Sequence, residues 1–405
     1  MDGIDQFEPS HEDRVTVLST NFDGSRILTA STDHRIKVWS RDGDTGERQL
    51  IETFTAHDAD IRDAKFTSPS VGNYIGTVAA DLKFQLWEED ASQAYNSGRR
   101  YRAIASIPST PRVPFTSLDF RTVDYLYTYL ALIDRQGLLS IYEPTSADEM
   151  KDWTLLDQFH VCSPVPGRGD ETSFKLQWDH NELPLAYTNS LSDDNKQLSL
   201  IVSSMQDVKI FCSREESDKD STNHDPSAGS HRLTFHECFH LPAHPALVRN
   251  IAWSSYNIRG LERIATACKD GIVRVFELSV VPQSSQQNGD ARSSYGRSSR
   301  SRPQPQSSLT HAITGRSGGS GGSNSIDQRV IDLPWTYKIE DVSELPGHGD
   351  AWTVTWDGTG QILMSGGSDG VTRIWRKSIS TGKWMLFADQ AVDFEGDDVD
   401  EEQES

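Results

Sequence analysis

The stretch "HEDRVTVLSTNFDGSRILTASTDHRIKVW" (His11–Trp39) is answered near the other end of the chain by "HGDAWTVTWDGTGQILMSGGSDGVTRIW" (His348–Trp375). Both begin with a histidine and a short polar gap, then an alternating apolar run and an Asp-Gly turn. A second run rich in small residues follows, then an acidic turn and a third run closed by tryptophan. Asp33 stands six residues before Trp39, and Asp369 six before Trp375. A third copy starts at His57, with Asp81 six before Trp87, and a fourth at His244, with Asp270 six before Phe276. Two weaker copies lie between them. In residues 116–142 Gln136 takes the place of the turn acid, and in residues 174–211 Asp207 is only four before Phe211. One unit, repeated six times, organises the chain.

Each unit reads as three strands joined by tight turns, with a fourth, outer strand following the aromatic. A sheet that small cannot bury both of its faces alone, and radial stacking gives each sheet two neighbours. The expected fold is therefore all-β: a six-bladed β-propeller. In the turn, the aspartate accepts backbone N–H groups. The histidine, a small hydroxyl residue and the strand-end aromatic can bond in series within a blade. His11, Asp33, Trp39, His57, Asp81, Trp87, His244, Asp270, His348, Asp369 and Trp375 are accordingly expected to be structural.

The propeller is expected to be open. Closed rings commonly use the N-terminal strand to complete the last blade, but only ten residues precede His11, and their "EPS" is a poor strand. "GKWMLFADQ" (382–390) can give the sixth blade its own outer strand. An open ring should expose strand backbone that invites addition from another chain. The expected partner-binding edge is Val15 and Val17 in the first blade and Trp352, Val354 and Trp356 in the last. The domain plan is an extension over 1–10, a propeller over 11–390 and an acidic, disordered tail over 391–405. Polar stretches at about 214–230 and 281–327 read as disordered insertions. In the second, Ser293, Ser294, Ser298 and Ser299 lie among arginines and are candidate phosphate acceptors.

Composition narrows the function. A net charge of −21 argues against an ordinary basic nucleic-acid surface. Residues 393–405, "DFEGDDVDEEQES", contribute eight acids to it. Cys162, Cys212, Cys238 and Cys268 show no metal or redox spacing, which suits buried thiols in a reducing compartment. The acidic N-terminus lacks a secretory apolar core, and "YLYTYLALI" is too short for a membrane span, so a soluble intracellular protein is expected.

One motif points elsewhere. "FHECFH" (235–240) carries His236, Glu237 and His240 at zinc-protease spacing. That chemistry needs a helix, yet Leu233, Phe235, Phe239 and Leu241 alternate as in a strand, and Pro242 and Pro245 follow. In a strand the two histidines lie roughly 13 Å apart, too far for one ion. No catalytic, metal or cofactor site is expected.

The repeats place the chain among WD-repeat proteins. "TASTDHRIKVW", "QLWEE", "SIYEPTSADEMKDWTL", "DVKIF" and "GGSDGVTRIW" resemble the Seh-type nucleoporins, homologues of Sec-thirteen, across nearly all of residues 10–390. The resemblance implies a non-catalytic scaffold subunit of the Y-shaped coat complex of the nuclear pore, at the nuclear envelope, supporting mRNA export and protein import. It implies an open six-bladed propeller completed by a seventh blade from a helical scaffold nucleoporin of the nucleoporin-85 type. Other subunits of the Y-shaped complex are further implied partners. A second implied assembly is a coat-like, nutrient-signalling complex on the vacuolar or lysosomal membrane. Neither direct nucleic-acid binding nor membrane insertion is implied. The alternatives are a Sec-thirteen-like vesicle-coat scaffold and a ubiquitin-ligase substrate receptor, although "VWSRD", "LWEED" and "IWRKS" lack the Trp-Asp-x-Arg ending of such receptors.

Overall fold

The computed structural model describes residues 7–41, 46–146, 149–181, 198–216, 232–255, 260–282 and 333–391. They form six four-stranded antiparallel sheets. Blade one is β1 (Val15–Thr20), β2 (Arg26–Ser31), β3 (Arg35–Arg41) and β4 (Arg48–Thr55); blade two is β5 (Ile61–Phe66), β6 (Tyr74–Ala79), β7 (Lys83–Glu89) and β8 (Tyr101–Pro108). Blade three is β9 (Phe115–Val123), β10 (Tyr127–Asp134), β11 (Leu138–Ser146) and β12 (Glu149–His160). Blade four is β13 (Phe174–Trp178), β14 (Ser199–Ser204), β15 (Asp207–Glu216) and β16 (Arg232–His240). Blade five is β17 (Val248–Trp253), β18 (Glu262–Cys268), β19 (Ile272–Pro282) and β20 (Trp335–Pro346). Blade six is β21 (Ala351–Trp356), β22 (Ile362–Gly367), β23 (Val371–Lys377) and β24 (Trp384–Ala391). This is the six-bladed β-propeller the repeats imply, and the sixth blade is built from its own four strands.

Inside a blade, polar side chains form a relay. In blade two Trp87 Nε1–H donates to Thr77 Oγ1 at 3.1 Å, Thr77 Oγ1 lies 2.8 Å from His57 Nε2, and His57 Nδ1 lies 2.9 Å from Asp81. Every group is satisfied if protons point from Trp to Thr to His to Asp around a neutral imidazole. Burial lowers the His57 pKa below its ordinary value despite Asp81, which keeps the ring neutral. Blade one repeats the relay through Trp39, Thr29, His11 and Asp33, and blade six through Trp375, Ser365, His348 and Asp369. The aspartates also accept turn amides, Arg35 N–H at 2.9 Å in the first case.

Three repeat details differ from the sequence reading. In blade five His244 reaches Thr266 at 2.8 Å, but Asp270 pairs with Arg274 at 2.7 Å and not with the imidazole. An arginine alone does not force this, since in blade six Asp369 pairs with both Arg373 and His348. In blade three the turn acid is Asp134, two residues before Gln136, and it accepts Gln136 N–H and Leu138 N–H at 2.8 and 2.9 Å. In blade four Asp207 faces His240 at 3.3 Å.

The zinc-like residues lie in β16, as alternation implied, and each has its own partner. His236 Nε2 is 3.0 Å from Thr234 Oγ1, and Glu237 pairs with Lys209 at 2.9 Å. The insertion boundaries shift slightly. Residues 214–216 extend β15 and residues 281–282 extend β19, because each continues a hairpin ladder with its partner strand. The rest of both insertions, including the four candidate serines, lies outside the described residues, as does the tail after Ala391. Cys212 and Cys268 are buried, whereas Cys162 and Cys238 are half-buried.

The core is not central; it lies between blades. Five apolar clusters occupy the junctions one–two, two–three, three–four, four–five and five–six. The innermost strands pack in the series β1, β5, β9, β13, β17, β21, and among the described residues nothing of that extent joins β21 to β1.

Two acids sit inside the four–five junction. Glu262 accepts Trp253 Nε1–H at 2.9 Å and Asn181 Nδ2–H at 3.2 Å, beside the buried Asp179. Burial, reinforced by Asp179, pushes Glu262 up to about 8, and burial pushes Asp179 up to about 6. Because the folded value exceeds the unfolded one, Glu262 lends its full stability below about 4.5 and loses it as pH rises through about 8. Glu262→Gln should therefore out-melt the parent increasingly from pH 5 to pH 8, by about 1–3 kcal/mol at the upper end, in thermal unfolding across that range. Thr77→Val strips the middle of the blade-two relay and should cost about 1–3 kcal/mol in denaturant unfolding.

Candidate partner interface at the open seam

A shared register makes the six blades comparable position by position. Leu18 of β1 pairs with Thr29, and its counterparts are Ala64, Leu118, Leu176, Ile251 and Val354. Those five are at most 5 % exposed, each packed toward the blade before it, whereas Leu18 is 62 % exposed. Val15 behaves alike: it is exposed, while Ile61, Phe115, Val248 and Ala351 are buried. Among the described residues no blade precedes blade one, so Leu18 and Val15 on its leading face are uncovered. At the next position on that face, Thr20 stands where Phe120, Trp178 and Trp253 are buried.

The backbone of the inner strand carries the same mark. At several junctions side chains of the preceding blade bond the inner strand's free amides and carbonyls, although Ala64 and Ile251 N–H donate to Asp63 and Asn250 of their own blades. Leu118 N–H donates to Asp63 at 3.2 Å, Trp178 N–H to Asp119 at 2.8 Å, and Trp253 N–H to Gln177 at 2.7 Å. Ile61 C=O accepts the Thr16 hydroxyl at 2.8 Å. By the same register Val15 C=O and the Leu18 and Thr20 N–H groups face the seam, with no preceding blade among the described residues to bond them.

On the far side of the seam, blade six uncovers its trailing face. Trp352 is 49 % exposed, one ring face stacked under Arg249 at 4.3 Å, with that guanidinium held by Asp350 at 3.0 Å. Met364 and Ile374 are half-exposed where Leu28 and Val38 of blade one are fully buried. Phe387 of β24 is 55 % exposed, whereas its counterpart Ile51 in β4 is 1 % exposed. Two apolar sheet faces thus bound one gap.

Of the five edge residues expected from sequence, Val15 and Trp352 face the seam and three do not. Val17 is buried in the one–two core and Val354 in the five–six core. Trp356 packs against Trp384 at 5.5 Å and donates Nε1–H to Ala252 C=O at 3.0 Å. A bulge between Val15 and Val17 breaks the period of two, so Val15 shares a face with Leu18 instead. In blade six the same register positions turn toward blade five, since the uncovered face there is the opposite one. The seam also differs in kind from the exposed strand edge expected. Blades meet face to face, so an absent neighbour uncovers side chains first. Leu18, Met364 and Phe387 escaped the sequence reading, because their exposure depends on which blade is missing. Among the described residues no group of three or more His, Cys, Asp or Glu could hold a metal, and no helix is long and apolar enough to cross a membrane.

The sequence model of the WD domain, G-beta repeat family matches residues 5–40 and 339–376, the two blades that flank the seam. Fold, relay and repeat together make the chain a WD-repeat β-propeller. Along nearly its whole length it is similar to proteins named Nucleoporin SEH1. The Saccharomyces cerevisiae protein is 28 % identical over 92 % of this chain and 95 % of its own. The Chaetomium thermophilum protein is 25 % identical over 94 % and 93 %, and the human protein 22 % over 90 % and 82 %. Within the WD-repeat class the chain is thus similar to the Seh-type nucleoporins over nearly its whole length.

The register comparison has a direct consequence for stability. Leu118→Ala should cost about 2–5 kcal/mol, while Leu18→Ala at the same position should change stability by less than about 0.5 kcal/mol, both read by denaturant unfolding.

Proposed function

We propose that the chain is a non-catalytic scaffold subunit of the Y-shaped coat complex of the nuclear pore, at the nuclear envelope, and that its seam receives a seventh blade from a helical scaffold nucleoporin of the nucleoporin-85 type. One observation carries this reading: among the described residues six blades have five inter-blade cores, and the two faces left over are apolar, the blade-one face also presenting three backbone groups with no preceding blade to bond them. A blade inserted there would bury Leu18, Val15, Trp352 and Phe387 and supply the polar side chains that the other inner strands receive. Its relatives' name, nucleoporin, supports the assembly. Support of mRNA export and protein import would follow from a place in that coat, as would contacts with its other subunits.

A coat-like complex on the vacuolar or lysosomal membrane would use the same seam, and so would a vesicle coat of the Sec-thirteen kind. The test separates them by company. The chain, tagged at its C-terminus, is purified under mild salt and its companions identified by mass spectrometry, beside a Leu18→Asp/Trp352→Ala double variant. A stoichiometric helical nucleoporin should accompany the parent and fall at least about tenfold with the variant, whose melting temperature should stay within about 3 °C. Vesicle-coat or ligase subunits alone would mean a different assembly on the same fold.

A further inference from the structure

At each of the five closed junctions one seat recurs. The strand-end aromatic of a blade shares its junction core with a large apolar side chain at the end of the outer strand of the blade before it, in direct ring contact at two junctions. That residue always lies opposite the position three before its own blade's aromatic. Phe54 of β4, opposite Ile36, covers Trp87 with ring centroids 4.9 Å apart. Phe159 of β12, opposite Leu139, covers Phe211 at 5.3 Å. Ile107 shares a core with Tyr142, Leu241 with Phe276, and Leu345 with Trp375. The seat thus takes Phe, Ile or Leu, never a polar group.

Blade one has no predecessor among the described residues, yet its strand-end aromatic, Trp39, is only 9 % exposed. The cover is Phe7, from the segment before the first repeat, edge-on at 5.4 Å. Arg48 lies over the Phe7 ring, 6.0 Å from its centroid. The segment is held further by Lys37, whose Nζ donates to the carbonyls of Pro9, at 3.1 Å, and Ser10. Ser10 adopts a left-handed φ of 50°, a turn that brings the chain back across the blade. Nothing in the repeat itself requires a phenylalanine four residues ahead of His11.

We infer that Phe7 is a placeholder: it fills, from the N-terminus, the seat on Trp39 that a preceding blade fills elsewhere, and an inserted partner blade displaces residues 7–10 and sets a large apolar side chain of its own outer strand on Trp39. The seat is read from this chain alone, whereas the displacement rests on the inserted-blade reading above. The device keeps the most apolar part of the leading face covered in the free chain. It also makes partner binding a competition, weakened by whatever holding Phe7 on Trp39 contributes.

Two readouts on the full chain, tagged at its C-terminus, test the two halves. Hydroxyl-radical footprinting reads Trp39 in the free protein. Affinity for a purified helical nucleoporin of the nucleoporin-85 type reads the displacement. Phe7→Ala should raise Trp39 oxidation at least about threefold and tighten binding about two- to tenfold, the range expected for one aromatic contact. Phe7→Trp should protect Trp39 and weaken binding. Unchanged Trp39 oxidation in Phe7→Ala would show that Phe7 does not fill the seat. An exposed Trp39 with unchanged or weaker binding would overturn the displacement while leaving the inserted-blade reading standing. If neither the parent nor Phe7→Ala binds, the inserted-blade reading falls with this partner and takes the displacement with it; the footprint still decides the seat.

Discussion

A four-stranded sheet of five- to twelve-residue strands has two faces and no layer of its own to cover either. Everything else in this molecule depends on that constraint. Each blade borrows its core from a neighbour, so the apolar clusters straddle junctions and none sits within a single blade. Stability in such a stack is a sum of nearest-neighbour interfaces. A stack that does not close must leave two faces uncovered, however well the individual blades are made. The seam is therefore a consequence of how the stack ends and requires no special motif.

The polar relay and the apolar junctions do separate work. Trp87, Thr77, His57 and Asp81 tie two strands of one blade, the turn between them and the segment leading into β5, and their relay stays within that blade. Junction chemistry is instead carried by side chains one blade contributes to the next, such as Thr16 on Ile61 and Asp119 on Trp178. Blades can accordingly lose the relay and remain in the ring. Blade three has no histidine in the relay position and closes its turn with Asp134, yet Leu118 and Phe120 are as buried as their counterparts. The seam inherits the second kind of chemistry, and Leu18, Val15 and Thr20 define what a neighbour must bring: apolar area, an acceptor for two amides and a donor for one carbonyl.

What an N-terminal residue does in such a stack depends on where the ring ends. Phe7 performs the office of Phe54 or Phe159 without belonging to a strand. A single ring can do this because the seat is defined by the flat face of a tryptophan, and an edge-to-face ring contact needs no backbone pairing to hold it.

Spacing alone determined the repeats and the strands, since His, Asp and Trp recur at fixed offsets, and "GKWMLFADQ" showed that the last blade has strand enough for itself. It also determined that "FHECFH" is a strand, because alternation and two prolines exclude the helix. Which residues line the seam was decided only in three dimensions. Val15 and Val17 look equivalent by alternation, but a bulge between them sends Val17 into the core and leaves Val15 beside Leu18. Val354 and Leu18 occupy the same register, and they differ in exposure because blade five stands before one and no blade among the described residues stands before the other. A local pattern records which side chains share a face of a sheet; it holds no record of whether a neighbouring sheet covers that face.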